Sequence, residues 1–366
     1  MTVNHLTATA APLAPPNRFT ELAAALTDWL RRGGTRAENG AYCGWRTAEG
    51  ELSYHYPEIT GYILTFFAYN AADEDDLGRA RSAADWLIDR FDRGDLSGRP
   101  DRGDGTVFPF DLGMITHGLL TFGARTGDER ILAAGRRAAR LLLDTRTDGV
   151  LPTLLTPEGA PAPRPAWSTT GRAHLLKVLQ ALLSAAEHGV EGAAGAAEQL
   201  VREADATGAR PGSAPLATCP ESDLISLHAS CYAAEGLWMW GTARGDAAAL
   251  DRARTITAWV WEQQLADGGF TTYAHLTGGP AGDHRQSDVL AQAVRLAVLL
   301  DLAPSRLADA AQALVESTER HEDGASTLYW PAAPERHRNC WSSLFALQAL
   351  RLHGDRGASL DWRELV

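Results

Sequence analysis

The sequence has little cysteine and no excess of positive charge, and both absences narrow the classes of protein that it can encode. The 366 residues include four scattered cysteines, without a CxxC pair: Cys43, Cys219, Cys231 and Cys340. A disulfide framework is therefore not expected. Acidic residues outnumber basic ones by 46 to 34, which gives a net charge of −12. Because binding to nucleic acid needs a basic face, we expect no nucleic-acid partner.

Long apolar runs and cofactor motifs are also missing. No stretch approaches the roughly 20 apolar residues that a helix needs to cross a bilayer. The first residues lack the basic and then apolar order of a secretory signal. Phosphate loops, glycine-rich dinucleotide fingerprints and nucleophile elbows do not occur. We therefore expect a cytoplasmic protein that uses no cofactor, contacts no membrane and takes a small molecule as its substrate.

What the sequence does contain is a repeat. Six hydrophobic helices each follow a polar, aromatic or proline-marked loop, and they begin near Glu58, Asp111, Ser168, Ser226, Ser287 and Asn339. Between successive starts lies a second helix with a charged outer face and apolar residues at spacings of three and four. A period of about fifty to sixty residues with two helices per unit indicates an array of α/α hairpins.

The repeat predicts an all-α fold, an (α/α)6 barrel or toroid of six helical hairpins with an inner and an outer ring of helices. We expect a disordered leader over residues 1–17 and a single toroid domain over residues 18–366. In a closed array, the loops that lead into the inner helices meet at one rim. We therefore expect the functional residues at that rim.

Two segments resemble those of known toroids. Residues 264–270, QLADGGF, resemble the Q-x-x-D-G-x-W/F element of squalene cyclases. Residues 56–64, YPEITGYIL, resemble helix starts in bacterial toroids linked to polysaccharide or secondary-metabolite pathways. The chain thus resembles the (α/α)6 toroid superfamily, which includes terpenoid cyclases, protein prenyltransferases, and carbohydrate-active hydrolases, lyases and epimerases. The resemblance covers about residues 19–355 and implies the fold more than the reaction.

Ionisable and aromatic residues gather at the predicted helix starts. The predicted catalytic residues are Glu58, Asp111 and Asp288 as acid and base, and His228, which either shuttles a proton or orients the substrate. The predicted substrate-binding residues are His55, Tyr56, Trp167, Arg172, Arg285 and Trp341. Buried carboxyl groups can divide into acid and base, and arginine holds anionic groups. The alternative is that these carboxylates only stabilise the first turns of their helices.

Three functions are compatible with this pattern. The first is a carbohydrate-active enzyme of the glycoside hydrolase, lyase or epimerase type, acting on a sugar, a uronate or a glycosylated metabolite. The second is a cyclase of an isoprenoid or other apolar intermediate, which predicts a deep aromatic cavity with one isolated acid. The third is a non-enzymatic scaffold that binds a peptide or a carrier protein, which predicts a flat rim without a cavity.

Two motifs suggest other chemistry but also have a structural interpretation. Residues 73–76, DEDD, match the D-x-D-D acid of class II terpene cyclases, yet their place in the repeat predicts a helix N-cap. His228, Cys231 and Cys340 are possible zinc ligands, but buried cysteine is usually an apolar filler. We predict no metal site.

Three polar residues fall inside the predicted inner helices. His117 and His174 are interpreted as core or cavity-lining groups rather than catalysts. Glu235 follows His228 by seven residues, so both side chains can lie on the cavity side of one helix. A buried glutamate needs a partner, and the sequence does not identify one.

Overall fold

The structure is a computed structural model that describes residues 17–156, 172–207, 223–355 and 357–366. Its inner helices are α2 (Pro57–Asn70), α4 (Pro109–Thr126), α6 (Leu179–Glu187), α8 (Leu227–Arg244), α10 (Ser287–Leu299) and α12 (Cys340–Gly354). The outer helices are α1 (Arg18–Arg31), α3 (Glu74–Asp92), α5 (Glu129–Asp144), α7 (Ala193–Thr207), α9 (Ala247–Glu262) and α11 (Leu307–Glu316). Short 3-10 helices cover Pro100–Arg102 and Ala173–Val178.

The six inner helices form a closed ring. Each one contacts the next along the chain, and α12 returns to contact α2. Helix α1 packs on α12, so the first helix of the sequence is the outer partner of the last inner helix. The predicted (α/α)6 toroid is confirmed. In a ring of six, α2 lies opposite α8, and α4 lies opposite α10.

Local sequence explains where the helices start. Pro57 and Pro109 occupy the first turns of α2 and α4, where an N–H group has no partner to lose. Ser226 and Asn339 cap α8 and α12 by accepting hydrogen bonds from backbone N–H groups of the first turn. Apolar residues on all sides of the inner helices then bury them between the outer ring and their neighbours.

The acidic run at residues 73–76 has the capping role that the repeat predicts. Asp73 caps α3 and accepts a hydrogen bond from the backbone N–H of Asp76 at 2.9 Å. Asp76 is buried and forms ion pairs with Arg31 and Arg79. Its Oδ2 thereby holds α1 against α3, while its Oδ1 binds Arg79 within α3 itself.

Two glycines allow α2 and α4 to approach each other closely. A Cβ atom on Gly118 would lie 2.2 Å from the carbonyl oxygen of Gly61, and one on Gly61 would lie 2.7 Å from the carbonyl oxygen of Met114. Any larger side chain at either position would push the two helices apart. These glycines therefore let α2 and α4 pack closely where they cross.

The rim loops form two small antiparallel sheets, which the sequence did not predict. One sheet has the order β1 (Trp45–Arg46), β7 (Arg338–Asn339), β6 (Gly324–Leu328) and β5 (Thr318–His321). The other has the order β2 (Leu224–Ser226), β3 (Thr271–His275) and β4 (Pro280–Arg285). In the first sheet Trp45 pairs with Asn339, which joins the loop before α2 to the start of α12.

Some predictions fall on residues outside the described part of the chain. The third helix start near Ser168 is one of them; the described segment begins at Arg172 and enters the ring through the 3-10 helix at Ala173–Val178 rather than through a regular α-helix. The leader at residues 1–17 is another, apart from Asn17, which caps α1. Among the described helices, none is long and apolar enough to span a membrane.

Candidate active site

A cavity of about 360 Å³ opens at the rim where the inner helices begin. It is lined by Trp45, Tyr54, Tyr56, Glu58, Arg99, Phe108, Phe110, Asp111, His174, His228, Tyr232, Gln286, Asp288, Tyr329, Trp330 and Trp341. The lining therefore combines aromatic rings with ionisable groups that come from several inner helices. Neither class of residue accounts for the lining alone.

Glu58 and Asp111 form a hydrogen-bonded carboxyl pair on one side of the cavity. They lie in the first turns of α2 and α4, and each residue is 6% exposed. Burial, with the nearby Asp111 charge second, raises the pKa of Glu58 to about 8. Burial raises the pKa of Asp111 to about 6, although Arg99 opposes that rise. The pair therefore holds one proton at neutral pH, mainly on Glu58.

Arg99 connects this pair to the aromatic wall. Its Nη1 donates to Asp111 Oδ2 at 3.2 Å, and its Nη2 donates to the Tyr56 hydroxyl at 2.8 Å. The preceding residue must be small, because a Cβ atom on Gly98 would lie 2.4 Å from Asp111 Oδ2. Because one cation faces two carboxyl groups, its charge can balance only one carboxylate. The other carboxyl group therefore keeps its proton.

A second pair of ionisable residues, His228 and Asp288, lies on the opposite helices α8 and α10. Asp288 is 1% exposed, and its Oδ2 accepts a hydrogen bond from the indole N–H of Trp341 at 3.1 Å. Nδ1 of His228 lies 3.6 Å from the same Oδ2 and 2.7 Å from Oε1 of Gln292. A carboxylate and an imidazole therefore face the Glu58–Asp111 pair across the ring.

Aromatic side chains form the walls between these two units. The ring of Trp341 lies 6.1 Å from that of Tyr56 and 5.0 Å from that of Tyr329, both edge-on. Tyr232 lies 4.3 Å from the ring of His228 and 5.0 Å from that of Phe110. Because these rings pack edge-on or tilted rather than face to face, flat faces are left for a ligand.

Six of the ten residues predicted for the site line this cavity: Glu58, Tyr56, Asp111, His228, Asp288 and Trp341. Five of them share a simple origin. Glu58, Asp111, His228, Asp288 and Trp341 are the second or third residues of α2, α4, α8, α10 and α12. The roles assigned to them remain predictions.

Three predicted substrate-binding residues point elsewhere. His55 pairs with Asp101 at 3.0 Å, because alternation along an extended segment sends it away from its neighbours Tyr54 and Tyr56. Arg172 binds Glu203 of the outer helix α7 at 2.6 Å. Arg285 pairs with Asp267 and lines a neighbouring pocket of about 200 Å³. None of the three lines the cavity, and their substrate-binding role stays a prediction; Trp167 lies outside the described residues.

Several lining residues were not among the predicted site residues. Arg99 and Phe108 come from the loop between α3 and α4, and Tyr329 and Trp330 follow β6. No local pattern marks loop residues of this kind as inward-facing. His174 was interpreted as a core or lining group, and it does line the cavity; burial, followed by the nearby His228, lowers its pKa to about 3.

Glu235 has two cationic partners beneath the cavity. Lys177 Nζ lies 3.0 Å from Glu235 Oε2, and Arg295 Nη2 lies 2.6 Å from Oε1. All three side chains are fully buried, and we call them the buried charge cluster. Burial opposes ionisation of Glu235, but Arg295 and Lys177 outweigh it and lower its pKa.

The sequence offers His228, Cys231 and Cys340 as possible metal ligands. No group of three or more His, Cys, Asp or Glu side chains in the described ranges is arranged to hold a metal ion. His228 and Cys231 lie on α8, and Cys340 begins α12. Burial raises the pKa of the Cys340 thiol to about 12.

Solved structures with this architecture include several sugar-active enzymes. A sugar epimerase from a ruminal bacterium has a TM-score of 0.69 and 14% identity, covering 94% of this chain and 100% of its own. The unsaturated glucuronyl hydrolase of Bacillus sp. GL1 has a TM-score of 0.70 and 14% identity, covering 94% and 98%. The cellobiose 2-epimerase of Spirochaeta thermophila has a TM-score of 0.68 and 16% identity, covering 93% and 98%.

These similarities extend over nearly the whole of each chain and show that the fold is the toroid of those enzymes. No protein-family model and no curated protein sequence matches the chain. At such low sequence identity, the structural similarity shows a shared fold but not a shared function.

Proposed function

We propose that this protein is a carbohydrate-active enzyme that transfers protons to and from a sugar or uronate. The observation that carries the proposal is the Glu58–Asp111 pair, which holds one proton at neutral pH in an aromatic-walled cavity of about 360 Å³. A carboxylic acid with a pKa near the working pH is an effective general acid. Aromatic faces suit the apolar faces of sugar rings.

The spacing of the carboxyl groups limits the reaction type. Retaining glycosidases hold their two carboxyl groups about 5–5.5 Å apart and inverting ones about 6.5–9.5 Å apart. Glu58 and Asp111 are hydrogen-bonded to each other, so neither a sugar carbon nor a water molecule fits between them. The pair therefore acts as one acid rather than as the acid and base of a glycosidic displacement.

The opposite wall supplies the base. His228 on α8 lies across the ring from Glu58 on α2, and Asp288 on α10 lies across from Asp111 on α4. A substrate between them can lose a proton to His228 and receive one from Glu58. Removal of one proton and delivery of another amounts to an epimerisation or an isomerisation. If Glu58 instead protonates a double bond and water then adds, the reaction is a hydration.

The names of the similar structures agree with this class of reaction. They include a sugar epimerase, a D-mannose isomerase and an unsaturated glucuronyl hydrolase. A cyclase with a single isolated acid fits less well, since this cavity contains three carboxyl groups, Arg99 and two histidines. A binding scaffold with a flat rim does not account for the cavity.

The test is to follow candidate sugars in D2O by NMR. Candidates are aldoses, ketoses, cellobiose and unsaturated uronides. Epimerisation or isomerisation would exchange a carbon-bound proton for deuterium, and hydration of an unsaturated uronide would remove its ultraviolet absorbance. The variants are Glu58→Gln, Asp111→Asn and Asp288→Asn, each expected to slow turnover by about 10²- to 10⁴-fold.

The matched control is Glu74→Gln, which removes an exposed first-turn glutamate from the outer helix α3. It tests the alternative that the inner-helix carboxylates serve only to stabilise helix starts. We expect its turnover to equal that of the wild type. Unchanged turnover in all three cavity variants would refute the proposed function.

A further inference from the structure

Gln292 on α10 lies between the cavity and the buried charge cluster. It is fully buried. Its Oε1 is 2.7 Å from Nδ1 of His228, and its Nε2 donates to Oε1 of Glu235 at 3.1 Å. A single amide thus joins a residue of the cavity wall to the cluster of Lys177, Glu235 and Arg295.

The charge cluster determines which way the amide faces. An ionised carboxylate only accepts hydrogen bonds, and Glu235 accepts from Lys177 at one oxygen and from Arg295 at the other. The NH2 group of Gln292 must therefore point toward Glu235. Its carbonyl oxygen is then left facing His228, and a carbonyl oxygen can only accept.

Asp288, a second polar neighbour of that nitrogen, does not compete with Gln292 for it. Oδ2 of Asp288 is 3.6 Å from Nδ1 of His228, which is too long for a hydrogen bond. The same Oδ2 accepts from the Trp341 indole at 3.1 Å. The hydrogen bond to Gln292, at 2.7 Å, is therefore the contact that orients Nδ1.

We propose that Gln292 is a positioning residue that holds His228 in the Nδ1–H tautomer, so that Nε2 is the nitrogen that takes the proton from the substrate. The hydrogen bond made by one imidazole nitrogen decides the protonation of the other. The role of Nε2 as proton acceptor rests on the proposed function, whereas the tautomer does not. Gln292 touches no substrate and acts through His228.

The tautomer can be measured without a substrate. Nitrogen-15 NMR of histidine-labelled protein distinguishes a protonated Nδ1 from a protonated Nε2 on a neutral ring, and the signal that disappears in His228→Asn identifies the residue. We expect the Nδ1–H form in the wild type. An Nε2–H form, or an even mixture of the two, would overturn the proposal, and this result needs no Gln292 variant.

The variant Gln292→Met removes both hydrogen bonds at similar side-chain volume. We expect a mixture of tautomers, and a kcat at least about tenfold lower at little changed KM, since general acid–base catalysis contributes about 10²- to 10⁴-fold. The matched control is Gln180→Met. Gln180 is equally buried, but it binds the carbonyl oxygens of Trp362 and Leu365.

The control should keep the wild-type tautomer, and a shift there would mean that any buried glutamine has the same effect. A Gln292→Met protein with the wild-type tautomer would also overturn the proposal. The role of Gln292 and the proposed function can be refuted independently. An Nε2–H ring with inactive carboxyl variants refutes only the role of Gln292, and an Nδ1–H ring with fully active carboxyl variants refutes only the proposed function.

Discussion

Glu58 and Glu235 are both buried glutamates on inner helices, yet their surroundings give them opposite protonation states. Glu58 shares one guanidinium, that of Arg99, with a second carboxyl group, and burial raises its pKa to about 8. Glu235 has two cations to itself, and Arg295 and Lys177 lower its pKa despite complete burial. The number of cations per carboxyl group, rather than burial, decides whether a glutamate in this ring is an acid or a fixed charge.

The largest expected difference is in stability after the same substitution at the two sites. Glu235→Gln leaves Lys177 and Arg295 buried without their counter-ion, and breaking such a pair costs about 3–5 kcal/mol. Glu58→Gln replaces a group that is already neutral in the folded protein at pH 7 and that takes up its proton on folding, so we expect no loss, and a gain of up to about 3 kcal/mol. Urea unfolding of both variants measures the two values. Equal losses would contradict the assigned protonation states.

The two glutamates should also give the free energy of unfolding opposite pH dependences. The folded pKa of Glu58 is raised from 4.5 to about 8, so its unfolded form releases its proton first, and stability falls as pH rises through that window. The folded pKa of Glu235 is lowered, so its contribution is lost as pH falls below about 4.5.

Urea midpoints across pH for the wild type and Glu58→Gln test this. The free energy of unfolding of the variant should no longer decline between about pH 4.5 and 8. It should still fall at acidic pH, where Glu235 becomes protonated. A decline of the same size in both proteins would assign it to other groups.

Removing Arg99 should make the Glu58–Asp111 pair more basic. An opposite charge at this distance lowers a carboxyl pKa by about 1–3 units, and Arg99→Gln should raise the apparent pKa of the pair by a similar amount. Arg102→Gln, an exposed arginine in the same loop, is the control. Infrared titration of the carboxyl band measures the shift, and equal titrations for the two variants would contradict the role of Arg99.

The smallest expected effect is that of His55→Ala. His55 faces Asp101 outside the cavity, although Tyr54 and Tyr56 on either side line it. We expect an unchanged KM and kcat for His55→Ala, and a raised KM for Tyr56→Phe, which loses the hydroxyl that binds Arg99. A raised KM for His55→Ala alone would mean that the loop changes conformation when substrate binds and brings His55 into the cavity.

The contrast between His55 and Glu58 shows what the sequence can predict. Helix starts depend on local chemistry, such as Pro57 at the first turn and Asn339 as a cap. Once these are known, the second or third residues of α2, α4, α8, α10 and α12 are expected to face the shared rim. The fold, and five residues of the cavity, follow from that reasoning.

Loop residues do not follow from local chemistry. The side on which His55 falls depends on strand pairing between segments far apart in sequence, as with Trp45 and Asn339. Arg99 reaches the cavity for the same reason, from a loop with no recognisable pattern. Lys177 and Arg295 did carry a signal, since each is a cation inside an otherwise apolar helix, and such a residue needs an anionic partner.

The proposed acid chemistry depends on a carboxyl proton that remains on the Glu58–Asp111 pair at neutral pH, and infrared spectroscopy tests for this proton most directly. We predict a protonated-carboxyl C=O band at pH 7 that titrates away near pH 8 and is absent from Glu58→Gln but present in Glu235→Gln. A wild-type spectrum without that band at pH 7, or with a band that Glu58→Gln leaves intact, would contradict the account.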